Sequence, residues 1–106
     1  MLKLLREIWM KIELEKVDTY EGVSVKALLD SGVMGLFMSK KLVERENFQL
    51  RKLEKPIKVR NIDRTGNSGE SIIHEVKCNM CFQEYVERVQ MDVCELEKTE
   101  VILGMS

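Results

Sequence analysis

The chain has 106 residues, the usual size of one compact domain, and its 17 Lys and Arg residues nearly balance its 18 Asp and Glu residues, for a formal net charge of -1. A chain of this length can bury one hydrophobic core, and its balanced charge gives no electrostatic footprint for nucleic acid or an anionic membrane. The first eight residues mix leucines with charged side chains, too short and too charged for a signal peptide or a membrane span. Composition therefore predicts a soluble, cytoplasmic protein with a single domain over residues 1–106.

Two segments of the first half alternate apolar and polar residues with a period of two, which is typical of strands with one buried face. Their apolar faces consist of Ile8, Met10, Ile12 and Leu14 in the first segment and Val23, Val25, Ala27 and Leu29 in the second. Turn residues over Asp18–Gly22 join the two segments and predict a β-hairpin, whose second strand delivers Asp30. Farther along, Ser39 can cap a helix of about two turns over Lys40–Glu46.

The second half of the chain also consists of short strand-like segments. A strand after Pro56 leads into the polar stretch 63–69, which is typical of a mobile hairpin tip. Two further strands, 72–80 and 86–93, flank a turn, and Val101–Gly104 is a last, wholly apolar strand. Many short strands with one helix predict an all-β fold, a closed barrel or a sandwich.

Asp30, Ser31 and Gly32 follow the apolar run 27–29 directly. An acidic residue at the end of a buried strand costs free energy unless it is hydrogen-bonded or functional. Asp-Ser-Gly is also good turn chemistry, so the tripeptide taken alone indicates a turn more often than an active site.

The wider pattern is more specific. Ala27–Gly32 followed by Gly35–Ser39 resembles the active-site loop of retropepsin-like aspartic proteases from gypsy-class LTR retrotransposons and retroviruses, whose motif is two apolar residues, Asp, Ser or Thr, and Gly. About 70 residues later, Val101–Gly104 resembles the family's segment of two apolar residues and Gly. Between them, Leu53–Asp63 resembles the strand that leads into the flap of these enzymes. The resemblance covers nearly the whole chain and implies a barrel with one short helix after the active-site loop.

The resemblance implies an aspartic endopeptidase that matures a Gag-Pol-type polyprotein. It would act as a homodimer on an extended peptide, without a cofactor or metal, in the cytoplasm or inside virus-like particles. Two Asp30 carboxylates across a two-fold axis cannot both ionise cheaply, so they share one proton. The charged carboxylate then takes a proton from a water molecule, and the protonated one donates to the scissile carbonyl oxygen.

Supporting roles follow from the same resemblance. Ser31 would hydrogen-bond across the dimer, and Gly32 would let a backbone amide approach the carboxylates. The segment behind the active site would comprise Ile102, Leu103 and Gly104, and the flap tip would comprise Gly66, Asn67, Ser68 and Gly69. Glycine gives such a lid its freedom, although an ordinary hairpin loop would have the same composition.

Some positions depart from the family pattern. Val33, Met34 and Leu36 make the loop after the motif unusually apolar. Only two residues follow Gly104, whereas relatives continue into a C-terminal segment, so we expect a domain shortened at that end. A dimer would then depend on other surfaces, with Met1–Trp9 as a candidate.

Two readings from other functional classes compete with the protease. An inert retropepsin-like module could use the fold for dimerisation or peptide binding. A small zinc-binding module could use His74, Cys78 and Cys81, but Cys78 and Cys81 would point to opposite faces of a strand, and four N or S ligands are usual. Three cysteines in a chain of this size indicate free thiols in a reducing compartment.

Overall fold

The computed structural model describes residues 7–58 and 71–104. Seven strands and one helix lie in these two ranges. The strands are β1 (Glu7–Lys16), β2 (Gly22–Asp30), β3 (Leu36–Ser39), β4 (Arg51–Lys58), β5 (Ser71–Phe82), β6 (Tyr85–Cys94) and β7 (Val101–Gly104), and helix α1 (Lys40–Glu46) follows β3. In this part of the chain no helix has the length and hydropathy that a membrane span requires.

Six strands close into a barrel. They are hydrogen-bonded in the order β1, β2, β7, β3, β6 and β5, and β1 pairs with β5 through Glu13–Lys16, which completes the ring. Strand β4 lies outside the ring and pairs with β5. Because closure removes exposed strand edges, it protects a small all-β domain from edge-to-edge association. The prediction of a closed all-β barrel with one short helix is confirmed.

The predicted hairpin of β1 and β2 is confirmed, with Ile12 opposite Val25 in antiparallel register. The connecting turn is held by two backbone hydrogen bonds, from Lys16 N to Glu21 O and from Tyr20 N to Lys16 O, both 2.9 Å. The predicted buried face is correct for Ile12 and Leu14 but wrong for Ile8, which is 50% exposed. Period-two alternation identifies a face of a strand, but it does not show where along the strand the covering layer ends.

The last strand in the sequence, β7, lies between two strands that come much earlier in the chain. β7 runs parallel to β2 and antiparallel to β3, so it is paired along both edges. Val101, Ile102 and Leu103 are all buried, as expected for a strand covered on both faces. Its wholly apolar sequence is therefore explained by its position between β2 and β3.

Helix α1 has the predicted bounds, and its ends explain them. The Ser39 hydroxyl accepts a hydrogen bond from Leu42 N at 3.0 Å, which satisfies one of the free N–H groups of the first turn. At the other end Asn47 adopts a left-handed conformation, with φ of 59°, and donates its N–H to Val43 O. Leu42 and Val43 are buried and face the core.

Glu100 links α1 to the barrel. One carboxylate oxygen accepts a hydrogen bond from Lys26 N at 2.8 Å, and the other binds Arg45 Nη2 at 2.7 Å. The backbone of Glu100 also accepts a hydrogen bond from Ser39 N at 2.9 Å. The residue before β7 thus fixes β2 and both ends of α1 to one another.

The core has two parts, one on each face of β7. The larger part fills the barrel and includes Val101 and Leu103. The smaller part lies on the opposite face and contains Val33, Phe37, Ile72, Cys94, Leu96 and Ile102. Leu28, which the alternation of β2 predicts to face outward, is fully buried and lies opposite Ile102, a member of this second cluster.

Candidate active site

Asp30 is the last residue of β2, where the strand leaves the barrel wall. Its carboxylate Oδ1 accepts a hydrogen bond from Gly32 N at 2.9 Å, and its carbonyl oxygen accepts one from Val33 N at 3.2 Å. The chain therefore turns back over the half-buried carboxylate, whose charged form gains an N–H donor. An apolar strand that ends in a compact turn thus presents one polar group at a fixed place.

Gly104 holds this loop from behind. It lies beside Asp30 in the parallel pairing of β2 and β7, and its N–H donates to Gly35 O at 2.8 Å. A Cβ atom at position 104 would lie 2.5 Å from Gly35 O and closer still to Val33 O, so the approach requires glycine. Gly35 itself has φ of 104°, which side-chain-bearing residues rarely adopt.

A row of buried apolar side chains lies next to the carboxylate. Leu28 is opposite Ile102, and Ile102 is opposite Phe37, so the three side chains share one face of β2, β7 and β3. Asp30 is two residues beyond Leu28 and therefore lies on the same face. Leu28 and Ile102 are fully buried and Phe37 nearly so, which gives the loop a rigid apolar floor.

The structure brings together the motif residues predicted from the sequence. Asp30, Ser31 and Gly32 form the turn, with Ser31 and Gly32 exposed, and Gly104 packs against it. Ile102 and Leu103 lie behind the loop on opposite faces of β7. Within the apolar continuation of the loop, Val33 is buried and Met34 is 77% exposed.

Two predicted regions fall partly or wholly outside the described residues. The proposed flap tip of Gly66, Asn67, Ser68 and Gly69 lies outside them, and so does most of Met1–Trp9, the candidate dimer segment. Strand β4 begins at Arg51, before Pro56, and is described as far as Lys58.

The cysteines have the character of packed thiols. Burial raises the pKa of Cys78 to about 11, with a smaller contribution from Cys81. Burial, Glu15 and Glu13 raise the pKa of Cys81. Metal ligation requires thiolates, and in the described residues no group of three or more His, Cys, Asp and Glu side chains could hold a metal ion. Cys78 and Cys81 are free thiols.

A pair of carboxylates outside the loop was not predicted from the sequence. Glu75 is buried on β5, faces Asp92 across the β5–β6 pairing and accepts a hydrogen bond from Gln90 Nε2. Burial raises the pKa of Asp92, and the negative charge of Glu75 raises it further. No feature of the sequence indicates that the face of β5 that carries Glu75 is covered.

Comparison with known proteins gives the same fold. The retroviral protease-like domain of Ddi1 from Leishmania major superposes with a TM-score of 0.59 at 17% identity, over 92% of this chain and 71% of that one. A retropepsin-like aspartic protease from Rickettsia conorii superposes with a TM-score of 0.56 at 14% identity, over 100% of this chain and 83% of that one. At these identities the likeness concerns the fold alone.

A family model adds evidence at the level of sequence. The PEG10/RTL1 protease domain matches residues 26–106, which include the Asp30 loop and all of β7. The retropepsin-like part of the expected resemblance is therefore confirmed, whereas an origin in a gypsy-class retrotransposon stays a prediction. With the barrel, the pinned Asp-Ser-Gly turn and this match together, the chain belongs to the PEG10/RTL1 protease domain family and is a retropepsin-like aspartic protease domain.

Proposed function

We propose that the chain is an aspartic endopeptidase that acts as a homodimer and cleaves an extended segment of a polyprotein. The observation that carries this proposal is the Asp30 turn, a half-buried carboxylate that accepts the Gly32 N–H and is fixed from behind by Gly104. A carboxylate needed only for a turn would not require a loop clamped to a neighbouring strand by backbone contacts.

The dimer follows from the chemistry. Peptide hydrolysis by this route requires a general base and a general acid at the same time, and the chain carries one Asp-Ser-Gly motif. Two Asp30 carboxylates held close together would share one proton, so one would activate water while the other would protonate the carbonyl oxygen. Ser31 is exposed beside Asp30 and is available to contact the second copy.

The decisive experiment compares the parent with Asp30→Asn on peptides drawn from its flanking polyprotein, at pH values from about 4 to 7, where such a pair holds one proton. The amide keeps the shape of the carboxylate but cannot take a proton from water. We expect the loss of all measurable cleavage without a loss of folding. Asp18→Asn, an exposed acidic residue in the β1–β2 turn, is the matched control and should cleave like the parent.

Cleavage by Asp30→Asn at the parent's rate would exclude Asp30 as the catalytic group. If the parent cut none of the peptides but bound them, the alternative proposal, an inert module that binds peptides or dimerises, would replace the enzyme.

A further inference from the structure

We infer that Trp9 forms a wall of the substrate cleft and selects bulky apolar or aromatic side chains close to the scissile bond. This inference rests on the proposed peptidase function. It starts from an exposed aromatic residue that the core does not use: Trp9 is 44% exposed, although it lies in the closed barrel's first strand.

The strand register places Trp9 beside the catalytic carboxylate. Trp9 lies opposite Leu28 in the β1–β2 pairing, so it extends the apolar row of Leu28, Ile102 and Phe37 by one position. The other three members of that row are buried, and Trp9 is the member that remains accessible. Asp30 is two residues beyond Leu28 on the same face, which makes Trp9 and Asp30 diagonal neighbours, about 7–8 Å apart and within reach of an aromatic side chain.

The indole is held in place from the other side. Lys26 Nζ lies 4.9 Å from the centroid of the Trp9 ring, in cation–π range. Lys26 precedes Leu28 by two residues, so it approaches Trp9 from the end of the strand pair opposite to Asp30. Its backbone N–H is bound in turn by Glu100. The ring is therefore restrained at the end away from Asp30, and a restrained aromatic surface loses little entropy on binding.

The spacing matches an extended peptide. Such a chain advances about 3.3 Å per residue, so a distance of about 7–8 Å from Asp30 corresponds to a side chain about two residues from the cleaved bond. An accessible indole at that distance offers stacking and dispersion contacts to an aromatic or large aliphatic side chain, and it offers little to a small or acidic one.

The test measures cleavage of a tryptophan-free octapeptide library, varied one position at a time, by the parent, Trp9→Phe and Trp9→Ala. We expect one position near the scissile bond at which the parent prefers Phe or Leu over Ala by about tenfold in kcat/KM. Trp9→Ala should lose most of this preference, and Trp9→Phe should keep it within about threefold. Tyr85→Ala is the matched control, because Tyr85 is an even more exposed aromatic residue, 78% accessible, at the β5–β6 turn.

A second readout does not depend on turnover. Trp9 is the only tryptophan, so the emission of the inactive Asp30→Asn variant reports on this ring alone. Peptides with Phe at the selected position should shift or quench the emission on binding, and matched peptides with Ala should do so far more weakly. Because this fluorescence measurement uses a variant that keeps Trp9, it tests the proposal even if Trp9→Ala does not fold.

The outcomes separate the two proposals. Two results would overturn the role of Trp9 and leave the peptidase intact. In the first, the parent cleaves the peptides, and Trp9→Ala and Trp9→Phe show the same side-chain preference as the parent. In the second, peptides bind saturably without any change in the emission of Trp9. Absence of cleavage together with Phe-selective emission changes would overturn the peptidase but support Trp9 as a selective wall. Absence of both cleavage and emission changes would overturn both.

Discussion

At Gly104 the backbone of β7 packs so closely against the active-site loop that there is no room for a side chain. Gly104→Ala would push a methyl group into two backbone carbonyls, Val33 O and Gly35 O, neither of which can rotate away. We expect a loss of about 2–3 kcal/mol in the free energy of unfolding, measured by urea denaturation, and a loss of peptidase activity larger than the fraction unfolded explains.

Gly22→Ala is the matched control for this prediction. The added Cβ atom there would meet only the flexible side chain of Glu13, which can move aside. Its stability should stay within about 1 kcal/mol of the parent. Equal losses in the two variants would show that the close approach at Gly104 has no special importance.

At the residue scale, the site residues that could be predicted from the sequence are those that belong to a recognisable motif. Asp30 and Gly104 stand in recognisable patterns, and the structure places them side by side on neighbouring strands. Glu75 was not predicted, because its burial depends on neighbours from β4 and β6 that are distant in sequence. The same reason explains Leu28, whose cover comes from the far end of the chain.

At the scale of elements, Glu100 joins β2, β3 and α1 through one carboxylate and one carbonyl group. Partial burial raises the pKa of Glu100, but hydrogen bonds from Lys26 N and Arg45 outweigh this effect, so the pKa lies below its usual value. The ionised carboxylate therefore stabilises the folded state. This contribution is complete above the pKa of an unfolded glutamate and is lost as the pH falls through the lower, folded pKa.

Glu100→Gln should lower the free energy of unfolding by about 1 kcal/mol at pH 7, because the amide keeps one acceptor but loses the charge. The difference from the parent should shrink as the pH falls through the folded pKa of Glu100, which chemical denaturation at several pH values would show. Glu97→Gln, an exposed residue of the same connection, should have little effect at any pH. A Glu100→Gln deficit that stayed constant down to the acid limit would contradict the electrostatic explanation.

Elements with a local signal, such as alternation, a cap or a wholly apolar run, were predictable, and an element without such a signal was not. The β1–β2 hairpin, β6 and α1 follow from alternation and capping in short stretches of sequence. Strand β3 was not predicted as a strand, because its four residues are too few to show a period and its pairing with β6 and β7 is non-local. The pairing of β1 with β5, which closes the barrel, was not predicted either, because it too is non-local.

At the scale of the whole molecule, the proposed enzyme needs two chains, and subunit mixing tests this directly. If each active dimer contains two Asp30 residues, adding an equal amount of Asp30→Asn to a fixed amount of parent should reduce activity to about half after exchange, since only parent homodimers cut. A monomeric enzyme would keep full activity in the same mixture. Addition of Asp18→Asn in place of Asp30→Asn is the control, and it should raise the activity instead.

The order of the strands also has a consequence for biosynthesis. β7 is translated after all the other described strands, yet it lies between β2 and β3 and supplies the Gly104 N–H that holds the Asp30 loop. A ribosome-bound chain that ends before Val101 lacks the strand that lies between β2 and β3, and its Asp30 loop is not yet held by Gly104. Contacts between residues so far apart in sequence form slowly, because a long loop must close first. The proposed peptidase therefore cannot act until this strand has been released and inserted.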